Sequence, residues 1–174
     1  VRETILSSRE ARVEMRSVTE TQNITRTSTR TEERQVGYHD PLAQTFMIDD
    51  QGGVFLTSID LFFSTKDSAI PVTVQIRNVV NGYPGQKILP FSEVTLNPGS
   101  VSTSTDGTTA TKFTFLSPVY IQNNIEYCFV VMANSQDYNA YVARIGETSL
   151  DSNRTISAQP YAGVMFKSQN GMTW

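Results

Sequence analysis

Short runs that alternate apolar and polar residues, separated by turns rich in Gly, Pro and Asp, fill the chain from residue 43 to residue 166. A period of two throws successive side chains to opposite faces of a strand, and no stretch sustains a long helical period. The pattern predicts eight strands, at 43–48, 54–64, 71–80, 88–96, 111–116, 125–133, 138–145 and 162–166. Phe55, Ile59, Leu61 and Phe63 supply apolar positions of the second, and Val72, Val74 and Ile76 those of the third. Residues 125–133 form a near-continuous apolar run, the signature of a central strand buried on both faces. Asp49-Asp50-Gln51-Gly52-Gly53, Asn81-Gly82-Tyr83-Pro84-Gly85 and Asp106-Gly107 read as turns. Turns every 8–12 residues between about eight strands predict an all-β, antiparallel two-sheet sandwich, jelly-roll-like in preference to an immunoglobulin-like order.

Residues 1–37 follow another pattern. They contain no aromatic residue and no Lys, but seven Arg and six Glu. Val1 shares a helical face with Ile5 or Leu6, so residues 1–11 can form a short helix, but the series Leu6, Val13, Glu20 breaks a heptad at its third member. From Arg12 to Thr31 a period of two returns, with Thr on one face and Arg and Glu on the other, as suits an extended strand. Twenty such residues span about 66 Å at ~3.3 Å each, too long for one small sheet. The division is therefore an extended or partly helical assembly arm, 1–37, and a sandwich domain, 38–174, read as a piece of a longer protein.

The chain of 174 residues is long enough for one domain with an appendage. A net charge of −3 and a pI near 5.1 argue against nucleic acid as partner. The longest apolar run falls far short of the roughly 20 residues of a helical bilayer span, so no membrane partner is expected, and no signal peptide is visible at Val1. Cys128 is the single cysteine, which precludes an intrachain disulfide.

Catalytic chemistry finds little support. His39 adjoins Asp40, but neighbours in an extended stretch point to opposite sides and no nucleophile signature accompanies them. Asp49, Asp50, Asp60 and Asp67 are turn carboxylates without metal-loop spacing, so neither a metal nor another cofactor is expected. Cys128, in the most apolar strand, reads as a core residue. Asn23-Ile24-Thr25 and Asn153-Arg154-Thr155 match the short glycosylation sequon, with no secretory signal to support it. Among Tyr83, Tyr120, Tyr138, Tyr141 and Tyr161, the three at a turn or strand edge, Tyr83, Tyr138 and Tyr161, are the expected exposed contacts for a glycan or a partner, set against half-buried structural roles.

Asp40-Pro41-Leu42-Ala43-Gln44-Thr45-Phe46 marks the junction of the two regions, and Gly52-Gly53-Val54-Phe55-Leu56-Thr57-Ser58-Ile59-Asp60-Leu61-Phe62-Phe63 follows it. Together with Pro71–Arg77, Asn81–Pro84 and Phe166–Trp174, this segment resembles virion structural proteins of tailed bacteriophages, over nearly the whole of 40–174 but not over the arm. The resemblance implies a non-enzymatic baseplate, tail-fibre or fibre-attachment component in the phage tail, assembled in the host cytoplasm. The implied partners are other tail or baseplate subunits and copies of the chain itself, a trimer being favoured. The alternative is a carbohydrate- or receptor-binding module of a tail fibre, directed at a host surface glycan. A hydrolase is the poorest reading, because no motif supplies a converging carboxylate pair.

Overall fold

The computed structural model describes residues 37–150, 152–159 and 161–174, so the predicted arm lies outside the described residues but for Gly37. Eight strands follow one another: β1 (Leu42–Met47), β2 (Val54–Thr65), β3 (Val72–Val80), β4 (Tyr83–Leu96), β5 (Ala110–Ile121), β6 (Glu126–Ala133), β7 (Asn139–Ala140) and β8 (Met165–Lys167). A single 3-10 turn at Pro98–Ser100 is the only helical element among the described residues, and no helix there is long and apolar enough to cross a membrane. The strands form two antiparallel sheets, ordered β4-β3-β6-β1-β8 and β5-β2-β7. The fold is the all-β sandwich that the alternation predicts. Only the β3–β4 hairpin stays within one sheet; every other connection crosses to the opposite one, in the jelly-roll manner.

The core lies between the sheets. Phe63, Phe113, Val72, Val74 and Val101 pack at one end, and Ile76, Phe115, Val119 and Ile121 at the other. A second apolar layer covers the outer face of the five-stranded sheet, where Ala43, Cys128, Val130 and Met132 pack with Val79, Phe166 and Trp174. Strand β6 therefore sends Tyr127 and Phe129 inward and Cys128, Val130 and Met132 outward into a covered layer. That is why its sequence shows no polar face.

Differences from the predicted boundaries have local causes. Tyr83, Pro84 and Gly85 do not belong to the turn; only Asn81 and Gly82 do, both with positive φ, and the chain re-enters the sheet at Tyr83. Proline survives in β4 and β5 because both are edge strands, where a missing N–H breaks no ladder between central strands. Of the strand predicted at 138–145 only Asn139–Ala140 forms. Phe55 also departs from expectation: the register of β2 on β5 shifts between Leu56 and Ser58, and there the inward set changes from Val54 and Leu56 to Ile59, Leu61 and Phe63. Phe55 is left on the outer face, 68% exposed, beside the Tyr120 ring at 5.3 Å.

Candidate functional site

Two segments far apart in sequence build one polar cleft. Asp40 sits at φ 43°, in the left-handed region that Asp tolerates better than most residues, and turns the chain into the fully buried Pro41. The Pro41 carbonyl accepts a hydrogen bond from Ser168 N at 3.0 Å, and Leu42 stands opposite Lys167 where β1 pairs with β8. The turn after β8 is knitted by its own side chains. Ser168 Oγ accepts from Asn170 N at 3.2 Å and Gly171 N at 2.9 Å, and donates to the Thr173 carbonyl. Asn170 Oδ1 accepts from Met172 N and Thr173 N, both at 2.9 Å. These are the local side-chain-to-backbone bonds for which Ser and Asn are favoured in turns.

From beneath, Arg77 fixes the same turn. It is 7% exposed on the outer face of β3, where Nη1 donates to the Gly171 carbonyl at 2.7 Å and Nε to Gln75 Oε1 at 2.8 Å. Gln75 in turn donates to the Glu93 carboxylate, so the buried cation is linked through an amide to a carboxylate on the neighbouring strand. Burial lowers the Arg77 pKa, and the charges of Cys128, Tyr38 and Glu93 oppose that shift.

The resulting cleft, about 480 Å³, is lined by Asp40, Lys167, Ser168, Gln169, Asn170 and Thr173. Outside this lining, Met132 Sδ, Pro41 Cγ and Tyr38 Cδ2 close around the point where a Gly171 β-carbon would start. The lining offers a carboxylate, an ammonium, two amides and two hydroxyls. It holds neither histidine nor cysteine, and Ser168 uses its hydroxyl within the turn. Among the described residues no group of three or more His, Cys, Asp or Glu side chains could hold a metal ion.

The three tyrosines singled out in the sequence lie in different settings. Tyr83 is 56% exposed and packs its ring on Phe166 at 5.8 Å; Tyr161 is 48% exposed. Tyr138 departs from the expected exposure: its ring meets Phe63 edge-on at 5.9 Å against the core, and its hydroxyl donates to the Ile70 carbonyl. No ring contact joins any two of the three among the described residues. His39 is exposed, and its backbone N–H bonds the Ala133 carbonyl. Asp67 accepts from Ala69 N, Ile70 N and the Ser135 hydroxyl, and Asp60 pairs with Lys112 at 3.3 Å on the surface. Both carboxylates are thus engaged within the domain. Cys128 is fully buried, and burial pushes its thiol pKa up to about 11.

In the sequence, Lys167, Gln169 and Asn170 stood out only as members of the Phe166–Trp174 segment that carries the resemblance, with nothing to mark them as a site. A second notable surface lies on the bulged edge strands. Register shifts expel Leu89–Ser92 from the β4 ladder and Phe115–Pro118 from that of β5. Leu89 and Phe115 turn into the same core cluster, while Phe91 and Leu116 stand 62% and 86% exposed. Comparison of the chain with protein-family models, with curated proteins and with solved structures finds no match.

Proposed function

We propose that the chain is a structural component of a tailed-phage virion, a baseplate or tail-fibre-attachment protein whose sandwich docks neighbouring tail parts. The observation that carries this reading is the pair of bulged edge strands. Phe91 holds φ 62°, a conformation that is an outlier for a bulky residue, and it does so while presenting its ring to water. Such backbone costs roughly 1–3 kcal/mol, so it persists where the surroundings over-determine it, and it clusters at functional positions. Leu116 projects from the corresponding bulge of β5. Exposed apolar side chains on a rigid body are what an obligate neighbour buries on assembly, and the bulges also keep the two edges from unspecific strand pairing.

The resemblance of the Asp40–Phe46 and Phe166–Trp174 segments to phage virion proteins supports the same reading. Arm residues 1–37 would add main-chain pairing and Arg–Glu register to an oligomer, a trimer by preference. Mass spectrometry of purified virions tests the proposal. The chain is expected as a stoichiometric tail component, and a Phe91→Ser/Leu116→Ser variant that is folded by circular dichroism is expected to be depleted from particles at least tenfold. Absence of the chain from virions, or undiminished incorporation of the folded variant, overturns the docking role.

A further inference from the structure

We propose that the cleft between Asp40 and the Lys167–Thr173 turn is a binding site for an uncharged saccharide, a function separate from docking and independent of the virion reading. Its volume, about 480 Å³, falls in the ~300–1,000 Å³ range of small-ligand sites. Each of its six lining residues carries a hydrogen-bonding group, and apolar stems make up nearly half of the lining surface. Asp40 presents acceptors, Lys167 donors, and Gln169 both. The two fixed charges are opposite in sign, so neither an anionic nor a cationic ligand is preferred.

The Asn170 amide is oriented before any ligand arrives. Its Oδ1 is bonded to two backbone N–H groups of the turn, which leaves the Nδ2 hydrogens to donate elsewhere. A carboxylate and an oriented amide suit neighbouring hydroxyls of a sugar ring, each of which both donates and accepts. The frame is stiff: Arg77 holds the Gly171 carbonyl, and Ser168 N holds Pro41. A frame ordered in advance lowers the entropic cost of capture.

Gln169 and Lys167 give clean probes, because neither side chain makes a hydrogen bond within the domain among the described residues, so truncation leaves the turn intact. The ¹⁵N-labelled full chain is titrated with glucose, galactose, mannose and N-acetylglucosamine, and with inorganic phosphate as a charged control. At least one sugar is expected to shift the amide resonances of Asp40 and of Lys167–Thr173, while phosphate leaves them in place. The Gln169→Ala/Lys167→Met double variant, with otherwise unchanged spectra, is expected to bind that sugar at least tenfold more weakly. Four results would each overturn the assignment: no shift with any of the sugars, shifts confined to other surfaces such as Tyr83 or Phe55, a stronger response to phosphate than to sugar, or undiminished binding by the double variant.

Discussion

Arg77 and Gly171, 94 residues apart, are joined by a 2.7 Å hydrogen bond from the guanidinium Nη1 to the glycine carbonyl. The bond crosses the outer apolar layer of the five-stranded sheet and fastens the turn that forms one wall of the cleft. Nη2 of the same side chain also donates to Met132 Sδ at 3.3 Å, so one cation serves the central strand and the last turn together.

Replacing Arg77 with Met removes those bonds and leaves the Gly171 carbonyl and Gln75 Oε1 without their donor. The expected loss is about 2–4 kcal/mol, from hydrogen bonds to a charged group worth ~1.5–3 kcal/mol and the desolvated acceptors left behind. Urea denaturation measures it, and hydrogen exchange at Gly171–Trp174 should rise well beyond that at Phe113. Arg77→Lys is expected to recover only part of the stability, since an ammonium cannot reproduce the planar fork. Equal stability of wild type and Arg77→Met would show that the bond adds nothing net.

Gly163 lies against β1, where a β-carbon would stand 1.8 Å from the Thr45 carbonyl oxygen. Backbone, unlike the tip of a long side chain, cannot yield cheaply. Thr45 is also tied to this segment by hydrogen bonds between its Oγ1 and Val164 N and between its own N–H and the Val164 carbonyl. Gly163→Ala is expected to cost at least ~3 kcal/mol, in the range reserved for overpacking and backbone strain. Gly99, with open space around its Cβ position, is the control: Gly99→Ala should leave the midpoint within about 0.5 kcal/mol of wild type.

Asp67 gives the domain a pH dependence at the acid end. The Ser135 hydroxyl, followed by the Ala69 and Ile70 backbone N–H groups, holds its pKa below 3.8. A depressed folded-state pKa means that the unfolded chain binds the proton more readily. The contribution is therefore complete above 3.8 and is lost as pH falls through the folded value. Urea midpoints compared at about pH 5 and about pH 3 should fall less for Asp67→Asn than for wild type. Parallel acid losses in the two proteins would remove Asp67 from the explanation.

Cys128 acts at the alkaline end. Burial raises its pKa from 9.0 to about 11, so the unfolded chain releases the thiol proton first and stability falls as pH rises through that interval. The same burial withholds the thiolate that reacts. A maleimide should label the native protein only at the rate of its opening, with labelling accelerating in step with urea unfolding. Fast stoichiometric labelling of the folded chain would contradict the buried position.

Periodicity carried most of the fold because it reports local physics. The double-sided burial of β6 was legible in 125–133, and the first three strands lie within a residue or so of their predicted ends. Where the pattern failed, a tertiary contact had replaced the local rule. Pro84 and Pro118 fell outside the predicted strands, yet they sit in β4 and β5, whose edge positions no single strand reveals. Phe55 shares parity with Ile59 and Phe63, and only the register shift on β5 turns it outward. Tyr138 reads as an edge residue until Phe63 and the Ile70 carbonyl claim its ring and hydroxyl.

By itself the sequence determined the all-β class, the inward sets of most strands and the inert character of Cys128, because alternation and hydrophobicity act over neighbouring residues. Tertiary structure alone decided the strand order, which residues cover the outer face of β6, and the cleft. Asp40 and Asn170 are 130 residues apart and meet only after β1 has paired with both β6 and β8. A site made by such pairing leaves no local trace, since the chemistry of each half is that of an ordinary turn.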